Sequence, residues 1–342
     1  MKKRKYFSLT NYLINAALIV ALYLIINRLI TGGVIPRAYR GFILNAGIYV
    51  VAAVSLNLTC GFLGQLPLGH AGFMAVGAYV TAIFTKMVHI ENTTVSFAIS
   101  ILIAGVTAAV VGIIVGLPAL RLHGDYLAII TLAAGEMIRV ILQNIYIDNP
   151  AKADSYIVAG PAGIQQIPRE TNFTWVYWIC VFTIFTIYTL TRSKGGRAIM
   201  SIRENEIAAE SCGIDTTYYK TLAFALAAFF AGVAGSLYAG YVGQIEPASF
   251  DFNRSIEILV MVVLGGMGSI VGSILAAIVL TILPEVLRGF SDYRLVVYSL
   301  LLVVVMIFKP TGLLGGKEFS LTGICEKIAG LFRKKSNTQE GK

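Results

Sequence analysis

Leu295-Val-Val-Tyr-Ser-Leu-Leu-Leu-Val-Val-Val-Met-Ile-Phe308 is a long apolar run without a charge. A strand of a membrane barrel would alternate apolar and polar residues. This run does not alternate, and neither does Leu18 to Leu24. Both read as helices in hydrocarbon, where each backbone group must find its partner within the segment. A helix needs roughly 20 residues to cross about 30 Å of bilayer core. Working outward, the same pattern places spans near 12–30, 42–60, 66–87, 96–117, 125–146, 173–191, 220–242, 253–266, 268–287 and 294–309. The expected fold class is an all-α membrane protein: a polytopic bundle of about ten transmembrane or re-entrant helices. The 253–266 piece is too short to count as a full crossing.

The composition agrees. Of 342 residues, 57% are hydrophobic and 13% charged, and the mean hydropathy is +0.77. A soluble domain carries about 25% charged residues. The net charge of +9 does not signal nucleic acid, because the basic residues flank the spans. They follow the cytoplasmic bias of Lys and Arg. With the N-terminus inside, 118–124 (Arg121, His123), 192–219 (Arg192, Lys194, Arg197, Arg203) and the tail (Arg333, Lys334, Lys335) are also inside. The segment 147–172 then falls outside, as do Arg37 and Arg40, against the rule. Met1-Lys-Lys-Arg-Lys5 precedes an apolar run with no small-residue cleavage site, so it reads as the start of an uncleaved span. Cys60, Cys180, Cys212 and Cys325 show no C-x-x-C spacing, and neither a metal nor a disulfide framework is indicated. Residues 1–316 form the expected permease domain. Residues 317–342 form a tail, in which Ile324, Ile328, Leu331 and Phe332 recur at helical spacing among Lys327, Arg333, Lys334 and Lys335. That pattern fits an amphipathic helix on the cytoplasmic leaflet or a disordered basic tail, with 336–342 disordered.

Three segments interrupt the apolar pattern. The first is Gly61-Phe-Leu-Gly64-Gln65-Leu-Pro67-Leu-Gly69-His70-Ala-Gly72. Irregular backbone at membrane depth is tolerated where it is buried in protein or lines a wet cavity. Gln65 and His70 could therefore offer hydrogen bonds to a solute, or the segment could be a turn before a tightly packed helix; for His70 the packing role is favoured. The second is Val263-Leu-Gly265-Gly266-Met-Gly268-Ser269, either an internal counterpart of the first, as in inverted repeats, or a tight interhelical turn. Asn57, Gly64, Gln65, Gly69, His70, Gly265, Gly266 and Gly268 are the candidate path residues. The third segment spans about 192–219. Ile202, Glu204, Ile207 and Ala208 fit a short helix ended by Gly213. A basic loop would explain Arg192, Lys194 and Arg197, but not the Glu- and Ala-rich stretch that follows. A rigid helix that docks into a soluble ATPase would.

Charged residues within spans are read as structural first. Glu136 and Arg139 stand three apart, share a helix face and can pair. Asn57 could cap or cross-link helices, Asp125 is positioned to N-cap the fifth span, and Glu285 and Arg288 lie at an outer span end. There is no H-E-x-x-H, no G-x-S-x-G and no Walker A pattern, so any driving ATPase is another chain.

Ala208-Ala209-x-x-x-Gly213, preceded by Glu206, resembles the E-A-A-x-x-x-G loop of bacterial ABC importer permeases. The glutamate stands one residue further from the alanines than usual, and no I-x-L-P follows. The wider chain resembles the LivM-type permeases of high-affinity branched-chain amino acid importers. The matching stretches are Leu56-Asn57, Gly61-x-x-Gly64-Gln65 and Leu68-Gly69-His70-Ala71-Gly72-Phe73; Gly77-Ala78-Tyr79; Gly124-Asp125-Tyr126-Leu127-Ala128-Ile129 with Thr131-Leu132 and Glu136; Gly160-Pro161-Ala162-Gly163-Ile164; Arg192-Ser193 to Arg197-Ala198; Ile202-Arg203-Glu204-Asn205-Glu206; and Val263 to Ser269. They run from about 45 to 315. Pro67 stands where the family usually has serine, so this chain has no hydroxyl there. The resemblance implies a multi-pass subunit of the bacterial inner membrane with both termini cytoplasmic. It implies a sister LivH-type permease, two ATP-binding subunits and an extracytoplasmic binding protein as partners, and no cofactor in this chain. It also implies an ATPase-coupling role for Arg197, Arg203, Glu204, Glu206, Ala208, Ala209 and Gly213. Leucine, isoleucine and valine are the expected solutes, with urea, amides or other amino acids as same-family alternatives. An ion-coupled secondary transporter is the competing class; it would need mid-span acidic residues, of which Glu136 is the clear one.

Overall fold

The computed structural model describes residues 9–33, 36–88, 92–122, 124–148 and 156–286, together with 300, 303, 307 and 312. The tail helix at 317–335, Arg288 and most of the tenth span lie outside the described residues; Leu300, Val303 and Ile307 of that span are helical. The chain divides into a unit that holds α1 (Leu9–Thr31) and a unit from Gly41 to Gly316. α1 is a continuous helix, as its unbroken apolar stretch predicts.

In the second unit, α2 (Arg37–Asn57) runs into a π-helical turn at Leu58–Phe62, and an irregular break leads to α3 (His70–Met87). Then follow α4 (Thr93–Ala119), α5 (Asp125–Asn144) and α6 (Phe173–Arg192). Two short helices, α7 (Lys194–Glu204) and α8 (Glu206–Ser211), precede α9 (Thr216–Val242). α10 (Phe252–Gly265) and α11 (Ile270–Val286) close the described chain. Among the described residues, five helices are long and apolar enough to cross a membrane. Between α5 and α6, β1 (Tyr146–Asp148) and β2 (Tyr156–Ala159) pair antiparallel, and Ile164 bridges to Ile245. The described parts of this connection are therefore tied to each other and to the segment after α9.

The apolar stretches of α2 and α9 are 67% and 72% buried within the chain, against 17% for α6. α2 and α9 are thus the centre, and α6 faces outward. Water is absent from a bilayer core, so helices there associate by close packing. Small residues supply it. α3, α4 and α9 pack against one another. Gly77 meets the backbone of Gly232, and Gly235 meets the Met74 carbonyl so closely that a Cβ would overlap it. Thr81 Oγ1 donates to Ser236 Oγ at 2.7 Å across the same seam. Gly235→Leu is therefore expected to wedge α3 from α9 and prevent folding. The measurement is the yield of monodisperse protein in detergent, which should collapse relative to Ala239→Gly on the same helix.

Asp125 opens α5 rather than capping it. The cap position belongs to Gly124, whose φ is +63° and which has no side chain to bond the helix end.

Candidate functional site

The two glycine breaks meet. Asn57 is fully buried at the end of α2. Its Nδ2 donates to the Ser269 carbonyl at 3.1 Å, and its Oδ1 accepts from the Gly268 amide at 2.9 Å. One side chain thus holds the α10–α11 break against the α2–α3 break. The close approach requires Gly61, because a Cβ there would overlap both Asn57 Oδ1 and the Gly268 backbone. Gly266 and Gly268 have φ values of +102° and +84°, a region open to glycine at little cost. The π-turn at Leu58–Phe62 adds a residue to the helix end, a device common at functional sites.

The rest of the first break is anchored to α5. The Leu68 amide donates to Thr131 Oγ1 at 3.0 Å, and Gly69 lies against the Thr131 carbonyl. His70, the first residue of α3, is buried, with Nε2 2.9 Å from Ser55 Oγ. The Ser55 hydroxyl also lies 2.8 Å from the Ala52 carbonyl, so His70, Ser55 and Ala52 form one buried hydrogen-bonded chain. His70 is a satisfied packing residue here. Gly265 is buried against Gly272. Of the sequence-derived path residues, Asn57, Gly69, His70 and Gly265 are enclosed in packing, whereas Gly64 is exposed and Gln65 half-buried.

The third segment is two helices rather than one. Asn205 leaves helical geometry (φ −162°, ψ 111°), and its side chain caps α8 by accepting from the Ala208 amide at 3.0 Å. Gly213, at φ +80°, follows the end of α8. Its amide donates to the Glu210 carbonyl and the Ile214 amide to the Ala209 carbonyl, so paired bonds satisfy the helix end. Glu206 is half-buried and Glu210 is exposed, and both reach α9. Glu206 pairs with Lys220, which is only 2% exposed, and Glu210 Oε1 accepts from Thr216 Oγ1 at 2.7 Å. The alanines divide, with Ala209 buried and Ala208 exposed. Ile207 stands 78% exposed beside Ala208.

Arg203, on α7, connects this segment to both breaks. Its Nη1 donates to the Gly61 carbonyl at 2.7 Å, and a Cβ at Gly64 would come within 2.7 Å of its Cγ. A Cβ at Gly268 would come within 3.2 Å of the same Nη1. Arg197 and Glu204 are exposed on α7.

α10 has 14 residues, about 21 Å of helix, which is too short to cross. Its first amide, at Phe252, donates to Glu136 Oε1 at 3.1 Å, and Asp251 Oδ1 accepts from the Arg254 amide at 3.1 Å. Glu136 sits about halfway along α5, so α10 begins beside the middle of that helix. Glu136 also pairs with Arg139 at 2.6 Å. It is therefore both an ion-pair partner and a cap for a half-helix, which spacing alone could not reveal. Sequence reasoning missed Asn205, Arg254 and Glu257. Arg254 and Glu257 stand three apart in an otherwise apolar run, and that was the signal available. Among the described residues, no three His, Cys, Asp or Glu side chains cluster as a metal site.

Comparison with known proteins follows this geometry. Residues 39–308 match the family described as the permease component of the branched-chain amino acid transport system. The chain is 37% identical over 301 residues to the high-affinity branched-chain amino acid transport system permease protein LivM of Escherichia coli K12, covering 78% of this chain and 68% of that one. The LivM protein of Salmonella typhimurium is 36% identical with the same coverage. The LivH permease of Escherichia coli K12 is 27% identical over 284 residues, covering 79% of this chain and 92% of LivH. No solved structure matches.

Proposed function

The chain belongs to the branched-chain amino acid transport permease family, and from that premise we propose that it carries leucine, isoleucine and valine across the bacterial inner membrane as one subunit of an ATP-driven importer. It is a multi-pass membrane permease. The carrying observation is the family match over 39–308, which takes in both glycine breaks and the α7–α8 segment. A sister LivH-type permease, two ATP-binding subunits that hydrolyse ATP and an extracytoplasmic binding protein complete the transporter. Both termini lie in the cytoplasm.

In this reading the exposed side of α7 and α8 docks onto an ATPase. Ile207, Ala208, Arg197 and Glu204 supply an apolar centre with a charged rim, the usual anatomy of a protein interface. Glu206 holds the docking helix to α9, and Gly213 sets the turn between them. Arg203 carries displacement inward, because it is bonded to the Gly61 carbonyl on one side of the break-to-break seam. Gly64, Gln65 and Gly268 lie at the seam, where a passing solute would meet backbone groups, while Gly266 is buried. Asn57, Gly69, His70 and Gly265 hold the walls.

The test is uptake of labelled leucine, valine and urea into vesicles that contain the chain and its partner subunits. The expected result is ATP-dependent uptake of leucine and valine but not urea. Leucine uptake that persists without the ATPases sinks the ATP-driven reading in favour of an ion-coupled carrier. Urea uptake alone sinks the amino acid assignment.

A further inference from the structure

We infer that Arg254, Glu257, Tyr49 and Tyr238 form a subsite for the charged head of an α-amino acid, with the carboxylate against Arg254 and the ammonium against Glu257. This rests on the transport reading above and names where the solute is read.

Arg254 occupies the first turn of α10, the positive end of a helix, where a cation is disfavoured. An ionisable side chain at membrane depth marks function by default. Here it is held by design of the surroundings. Its guanidinium lies between two aromatic faces, 5.1 Å from the Tyr49 centroid and 5.1 Å from the Tyr238 centroid. Its Nη1 bonds the Tyr49 hydroxyl and lies 3.4 Å from Glu257 Oε2, and that oxygen also accepts from Tyr49 at 3.3 Å. Its Nε–H is buried and has no acceptor among the described residues. A buried donor left unpaired is costly, and an incoming carboxylate would satisfy it. Asn45, one turn before Tyr49 on α2, likewise has a buried Oδ1 with no donor among the described residues.

The Arg254 side chain is 19% exposed, whereas that of Glu257 is 50% exposed. A half-open carboxylate within a membrane-spanning unit needs water or another polar group beside it. Glu257 thus borders a wet path or the face toward a second subunit. The approach is also visible. Tyr238, whose ring lies against the Arg254 guanidinium, also lines an open cavity of about 690 Å³ together with Arg169 and Glu246. One cation and one anion give the subsite no net charge. It would therefore hold a zwitterion without leaving a buried charge unbalanced, and would reject solutes of net charge. The Tyr rings and Phe250, which meets Tyr238 edge-on, supply apolar surface for an aliphatic side chain.

The experiment uses the complete transporter in vesicles and reads leucine uptake and binding-protein-stimulated ATP hydrolysis in parallel. Glu257→Gln is expected to lower uptake at least about tenfold while hydrolysis stays within about twofold of the parent. Arg254→Lys keeps the charge but loses the planar fork, and is expected to lower uptake by a similar factor. Asn253→Ala, an exposed neighbour on α10, is expected to leave both readings unchanged. If Glu257→Gln and Arg254→Lys transport leucine like the parent, the subsite is wrong although the parent is an amino acid importer. Parallel loss of uptake and hydrolysis in Glu257→Gln also overturns it, because the residue would then be structural. A parent complex that moves no amino acid removes both the subsite and the transport reading.

Discussion

Glu206→Gln is expected to detach the docking segment and reduce ATP-driven uptake at least about tenfold, with the protein still in the membrane. The cause is Lys220, which is 2% exposed and ion-paired to Glu206. Removing one partner of a buried pair leaves an uncompensated charge and costs about 3–5 kcal/mol, while replacing both by apolar residues of similar size is often neutral. The damage would concentrate where α8 joins α9, beside the hydroxyl bond from Thr216 to Glu210. Two measurements check this. Limited proteolysis should cut the 192–219 segment faster in Glu206→Gln, and co-purification of the ATPase should fall. The double variant Glu206→Leu with Lys220→Met should recover both. If Glu206→Gln leaves proteolysis and co-purification unchanged, the pair does not hold the segment.

The second large effect is expected at Asn57. Its amide satisfies one donor and one acceptor in the opposite break, with Asn57 and Ser269 fully buried and Gly268 half-buried. Asn57→Leu leaves the Gly268 amide and the Ser269 carbonyl without these partners. Each unsatisfied buried group costs about 1–3 kcal/mol. A loss of that size is a large part of the stability of an ordinary fold. Asn57→Asp separates the two bonds, because an ionised carboxylate accepts but cannot donate. It should keep the contact to the Gly268 amide and lose the one to the Ser269 carbonyl. The thermal midpoint of the detergent-purified chain should therefore fall for both variants. Equal midpoints for Asn57→Leu and the parent would mean that the seam contributes nothing to stability.

The spans were legible because their signal is local: hydrocarbon tolerates only continuous apolar helix, and the runs at 96–117 and 173–191 lie within α4 and α6. The shortness of 253–266 was visible as well, and α10 proves to be a half-helix. Three features were hidden for the same physical reason, namely that they depend on which distant residues meet. Asn205 reads as one polar residue within a helical pattern, and only its backbone geometry shows the elbow between α7 and α8. The tie from Glu206 to α9 depends on Lys220, 14 positions later. The pairing of the two glycine breaks joins residues more than 200 positions apart through Asn57. The sequence marked each break as irregular but carried no sign that one faced the other. Glycine at 61 was a hint, since a close approach is one of the few needs that glycine alone meets.

The seam also bears on how freely such a chain can drift. Asn57 grips the main chain at 268 and 269, and ignores every side chain in the loop it holds. Met267, just before the gripped residues in the second break, is 52% exposed. Substitutions there would be mechanically silent, whereas 57, 61 and 268 would tolerate almost none. Inheritance at this seam is thus written in backbone geometry, and lineages can change the residues around it without rebuilding the joint.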